Sequence, residues 1–199
     1  GDAEYLVGLL SSDLLMAKQQ ALMAMEKLVK ADGGSRAVLA VPGSVGRLCE
    51  ILDPADPVTT RWAVRVLAAL SLDAQGRHAL AGVMEQGVGS LLDSADRETV
   101  QCAALIVGNL VLDSAGRMRV LEGGRVLQSL RGLLWDDDAK TLRYVTGALR
   151  NYTSEELPGG QGQLSDSETV ARLRTLRGST DVNTARYASA VLKNLNASR

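Results

Sequence analysis

Aromatic side chains are almost absent from this chain: Phe does not occur, and two Trp and four Tyr make up the 3% aromatic fraction of its 199 residues. So thin a supply leaves few of the aromatic positions that β-sheets favour, whereas a 46% apolar content carried by Leu, Val and Ala suits packed helices. An all-α domain is expected. Cysteine is scarce as well. Cys49 and Cys102 each sit inside an apolar run and read as small core residues, not as a disulfide or a metal pair. The one histidine, His78, has no Ser, Cys or acid at a recognisable catalytic spacing and reads as a satisfied structural side chain. Gly159-Gly160-Gln161-Gly162 lacks the Lys-Ser/Thr of a phosphate-binding loop and does not follow a strand. The sequence therefore points to a non-enzyme with no cofactor and no bound metal. With 22 basic against 23 acidic residues and a formal net charge of -1, it does not read as a dedicated nucleic-acid binder. Neither a signal peptide nor an apolar run long enough to cross a membrane is present, so an intracellular protein, cytoplasmic and nuclear included, is expected.

What the chain does have is repetition. The stretch Thr99 to Gly124 is the fullest copy of a unit made of a long amphipathic helix, a turn, a short helix and a Gly break. Its long helix puts Val100, Ala103, Ala104, Val107, Leu110 and Val111 on one face, and Asp113-Ser-Ala-Gly-Arg117 supplies the turn. Equivalent positions Lys27, Ala69, Asn109, Asn151 and Asn194 follow one another at intervals of 42, 40, 42 and 43 residues. That period is the one expected of armadillo or HEAT arrays. Five copies result, at about 1–32, 33–73, 74–113, 114–153 and 165–199, forming one continuous domain in which each copy contacts its neighbours. The first copy lacks its short first helix. Before the last, the Gly-rich insertion 153–164 replaces that helix and is expected to be mobile. Within copies, Asp53-Pro-Ala-Asp-Pro57 and Asp136-Asp137-Asp138 mark joints ahead of long helices, and Ser165 with Glu168 reads as a capping box. Met16 and Met25 read chiefly as flexible core filler, whereas Met23, one helical turn before Lys27, is the exception. Both ends coincide with repeat boundaries, which suggests a longer parent protein.

The recurring turn, Asp73-Ala-Gln-Gly-Arg77 and Asp113-Ser-Ala-Gly-Arg117 with Asp32-Gly-Gly-Ser-Arg36 as a looser copy, resembles the Arg-led first helix of armadillo repeats. The resemblance covers nearly the whole chain and implies a right-handed α-solenoid of three-helix repeats. It also implies a role as a protein-binding scaffold whose third helices line a concave groove, with an Asn ladder gripping the backbone of an extended partner. Asn109, Asn151 and Asn194 match the ladder, whereas Lys27 and Ala69 depart from it. One turn earlier, where importin-type members carry Trp, stand Met23, Arg65, Leu105, Gly147 and Ala190. Recognition of nuclear-import signals is thereby disfavoured.

One more turn back on the same face come Gln19, Arg61, Gln101, Arg143 and Arg186. The fifteen positions of the three rows include Lys27, Arg61, Arg65, Arg143 and Arg186 and no Asp or Glu. A basic, amide-bearing groove is expected, suited to an extended acidic or phosphorylated segment of about a dozen residues at roughly 3.3 Å each. The partner set is accordingly another protein, with no membrane and no small-molecule substrate. A chaperone cofactor clamping a folded domain is the alternative, and nucleic-acid binding through the same arginines a third.

Overall fold

The computed structural model describes residues 1–82, 87–154 and 162–197. Among them there is helix and no strand. Five long helices, α2 (Leu15–Lys30), α5 (Pro57–Leu70), α7 (Arg97–Leu110), α10 (Ala139–Tyr152) and α12 (Val182–Ala197), pack side by side in chain order. Between them run short helices: α1 (Asp2–Leu9), α3 (Gly34–Leu39), α4 (Ser44–Glu50), α6 (Ala74–Ala81), α8 (Ser114–Gly123), α9 (Arg125–Gly132) and α11 (Ser167–Leu176). This is the helical solenoid that the period implies. Helix α1 leads directly to α2.

The core is a continuous seam of Leu, Val and Ala. Leu22, Leu67, Leu70, Ile106, Leu110 and Leu149 of the long helices are fully buried, each contributing about 1.5–3 kcal/mol. Met25 belongs to this seam, but Met16 is 75% exposed and Met23 only half-buried, so the methionines of α2 divide between core and surface. Cys49 and Cys102 pack against the core as free thiols, and burial pushes both up to about 11.

The Asp-x-x-Gly-Arg turn owes its Gly to a close approach. A Cβ on Gly76 would stand 1.9 Å from the Leu70 carbonyl oxygen, and one on Gly116 2.1 Å from that of Leu110, where the preceding long helix ends. Only glycine lets the short helix begin so near those carbonyls. The Arg that follows bridges to the next repeat. Arg77 donates to Asp113 Oδ2 at 2.7 Å and to the Leu72 carbonyl. Arg117, 3% exposed, donates to the Val111 and Asn151 carbonyls, with burial pulling its pKa down. Carbonyls at helix C-termini are good partners for such a cation, because they carry the negative end of the helix dipole.

Three local expectations are corrected. The second helix of the third copy is reduced, among the described residues, to a 3-10 turn, Gly89–Asp93, consistent with the poor helix propensity of Gly87 and Gly89. The residue capping α11 is Asp166, which accepts from the Thr169 amide at 2.9 Å, and not Ser165. His78 lies exposed on α6 with no hydrogen-bond partner among the described residues, so it is not a satisfied structural side chain. The insertion's residues 155–161 lie outside the described residues, and with them its expected mobility.

Candidate functional site

A repeated capping motif builds the long-helix face. Asp-x-x-Thr occurs at Asp56/Thr59, Asp96/Thr99, Asp138/Thr141 and Asp181/Thr184, and each Asp accepts from the backbone amide of its Thr at 2.7 to 3.1 Å. A side-chain acceptor here satisfies one of the donors that a helix start leaves open. The same carboxylates also take a donor from the repeat before. Arg61 forks onto Asp96 at 2.5 and 3.2 Å, Gln101 reaches Asp138 at 2.9 Å, and Arg143 forks onto Asp181. In the first repeat Gln19 donates to Thr59 Oγ1 at 3.0 Å. The row Gln19, Arg61, Gln101, Arg143 is thus a forward latch from each long helix to the next.

These pairs hold the acids in their charged form. Burial alone would raise the Asp96 carboxyl, but hydrogen bonds from Arg61 and Thr99 outweigh it and hold the group below the usual carboxylate value. The Arg143 guanidinium, followed by the Thr184 amide, holds Asp181 well below that range. For Asp138 the Thr141 amide is the leading cause.

The Asn row latches backward. Asn109 Nδ2 donates to Ser71 Oγ at 2.8 Å, Asn151 Nδ2 to the Gly108 carbonyl at 2.8 Å, and Asn194 Nδ2 to Thr153 Oγ1 at 3.2 Å. All three side chains are half-buried, and each reaches back to the C-terminal end of the preceding long helix. At rest their donors serve the solenoid itself.

The expected rows contain no acid, yet acids from neighbouring positions reach in. Arg65 donates to Glu26 at 2.6 Å and to Glu98 at 3.2 Å, and Lys30 joins Glu26 at 2.6 Å. Glu26 is nearly buried, and burial, which would raise its pKa, is outweighed by these cations. Across α2, α5 and α7 the arginines are therefore paired. Lys27 projects from α2 as an exposed side chain with no ion pair recorded for it.

Around α10 and α12 the pattern changes. Arg150 stacks on the Tyr187 ring at 4.7 Å and Arg186 lies 5.1 Å from the same centroid. Neither has a carboxylate partner among the described residues. Arg150 donates to Asn151 Oδ1 at 2.6 and 3.0 Å, and Arg186 to Asn183 Oδ1 and to the Tyr187 hydroxyl. Tyr187 leans over Gly147, where an added Cβ would meet its ring at 3.4 Å. Beside it opens a pocket of about 200 Å³ between α7, α10 and α12, with Leu105, Gly108 and Gly147 among its apolar lining and Asn109, Arg143 and Arg150 among its polar lining. A wider cleft of about 630 Å³ lies between the 92–97 turn and α9, but its charged side chains are engaged elsewhere: Arg97 with Asp137, and Asp93 with Arg125. Of the functional-site side chains described here, Glu26, Asp96, Glu98, Asp181, Arg150 and Tyr187 were not among the sequence candidates. The Asp-x-x-Thr-x-Arg/Gln spacing is the signal that would have exposed the latches.

No family model and no curated protein matches the chain. Solved structures do. An engineered protein superposes over 98% of this chain and 79% of its own with a TM-score of 0.88 at 24% identity. A designed armadillo repeat protein does so over 97% and 82% with a TM-score of 0.86 at 22% identity. A further designed armadillo repeat protein, in complex with the peptide (KR)4, covers 97% and 81% with a TM-score of 0.83 at 20% identity. No described helix is long and apolar enough to cross a membrane. With the period, the Arg-led first helices and these superpositions in agreement, the chain has the armadillo-like repeat fold.

Proposed function

We propose that the long-helix face is a binding surface for an extended segment of another protein, and that its α10–α12 end selects acidic residues. The observation that carries this is the pair Arg150, which lines the pocket, and Arg186, which shares the Tyr187 ring with it; among the described residues both have only neutral oxygens as partners. A carboxylate from a ligand would replace a neutral acceptor by a charged one, which roughly doubles the strength of the hydrogen bond. Asn109, Asn151 and Asn194 line the path, and their amides are placed to exchange an internal acceptor for a peptide carbonyl. The neighbour holding (KR)4 supports peptide binding on this fold, while the side chains here favour the opposite charge. The Tyr187 ring over Gly147 already carries two cations of the protein's own, and Trp62 already carries Arg65, so a ligand lysine gains little from either.

Fluorescence anisotropy with two labelled peptides of about a dozen residues, one of Glu and Ser and one of Lys and Ser, tests the proposal. The acidic peptide is expected to bind and to weaken with salt, as exposed charge contacts are screened. Preferential binding of the basic peptide, or binding of neither, would contradict it.

A further inference from the structure

Every arginine among the sequence candidates on the long-helix face has a carboxylate, except Arg186. In the forward-latch row Arg61 and Arg143 each occupy one Asp from the following helix, whereas Arg186, at the same place in α12, is exposed and turns back to Asn183 and Tyr187. Arg150 comes from the neighbouring helix to the same ring. The two guanidinium carbons therefore lie no farther apart than the sum of their distances to the Tyr187 centroid.

We propose that Arg150, Arg186 and Tyr187 form a subsite for a phosphoryl group on a serine or threonine of the extended segment, an inference that rests on the groove reading above. The stoichiometry of the other latches points to the charge. One aspartate takes the fork of Arg61 and another that of Arg143, so two forks that meet at one ring with only neutral oxygens as partners among the described residues call for a dianion with more acceptor oxygens than a carboxylate has. A phosphoryl group carries nearly two charges at neutral pH and three acceptor oxygens. Stacking on Tyr187 holds the planar guanidiniums before the ligand arrives, which lowers the ordering cost of binding. Asn151 Oδ1 and Asn183 Oδ1 act as neutral placeholders that the phosphoryl oxygens displace. Release of Asn151 Oδ1 from Arg150 also frees that oxygen to accept a backbone N–H of the bound segment.

The test uses two labelled Glu/Ser peptides of about a dozen residues that differ in one central phosphoserine, read by anisotropy against the full chain. The phosphorylated peptide is expected to bind about tenfold tighter. In R150Q/R186Q, checked for folding by circular dichroism, that preference is expected to vanish while the unphosphorylated peptide retains most of its affinity. R186Q alone, at an exposed position that leaves the helix intact, is expected to lose about half of the preference on a logarithmic scale. R61Q, in a latch remote from the subsite, is expected to keep it. Equal affinity of the wild-type chain for both peptides would overturn the subsite and leave the groove standing. Binding of neither would overturn both.

Discussion

The two ends of one helical face use the same residue types differently. On α2, α5 and α7, Arg61 and Arg65 meet Asp96, Glu26 and Glu98, and Lys30 joins Glu26, so the arginines are paired and hold repeats together, with Lys27 left exposed beside them. On α10 and α12, Arg143 is latched to Asp181, but Arg150 and Arg186 rest on an aromatic ring and neutral oxygens. Register alone does not make an arginine a ligand-binding group. What decides it is whether the next repeat brings an acid within reach.

The largest expected effect comes from cutting the molecule where the two ends meet. Gly116 lies against the last carbonyls of α7, and an Ala there would force backbone apart, costing on the order of 3 kcal/mol. Urea unfolding of G116A followed by circular dichroism is expected to show a lower midpoint and a broader transition, as the α2–α7 and α10–α12 ends come apart. A wild-type curve would mean the joint is not so tight.

Replacing Glu26 by Gln would sharpen the contrast. It removes a nearly buried charge held by Arg65 and Lys30, with an expected loss of about 1–3 kcal/mol in stability. It also releases Lys30 and the part of the Arg65 fork not held by Glu98, so the acidic peptide is expected to bind E26Q more tightly than the wild type. An unchanged affinity would show that the paired end contributes nothing even when opened.

The carboxylate latches set a pH dependence. Asp96, Asp138 and Asp181 all have folded-state pKa values below the ordinary 3.8. The unfolded chain then takes up protons first as the medium is acidified. Their stabilisation is fully present above the unfolded value and lost as pH falls from about 4 toward the lower folded values. D96N/D138N/D181N keeps good capping residues but loses the charge, so its unfolding midpoint is expected to fall less steeply below pH 4 than that of the wild type. The smallest expected effect is that of R97Q. The exposed Arg97–Asp137 pair is worth under about 1 kcal/mol, and its loss is expected to leave both stability and peptide binding nearly unchanged.

Much of this architecture was legible in the sequence, because a helix leaves a local trace. The spacing of Lys27, Ala69, Asn109, Asn151 and Asn194 located all five long helices, and the Asp-x-x-Gly-Arg turns located α6 and α8. The site was legible only in part. Taking positions at i, i+4 and i+8 found Arg61, Arg65, Arg143 and Arg186, but it could not see Asp96 or Asp181, which lie 35 and 38 residues away and arrive only through packing. Tyr187 escaped for the same reason: its importance comes from Arg150 on another helix and from the space above Gly147. Met16 looked like core by composition, yet α2 presents it to solvent.

The central claim, that an acidic segment lies on the α10–α12 end of the long-helix face, is tested most directly by hydrogen–deuterium exchange with and without the acidic peptide at low salt. The account predicts added protection concentrated in 139–152 and 182–197, with α2 and α5 unchanged. Protection centred on α2 and α5, or none on any long helix, would contradict it.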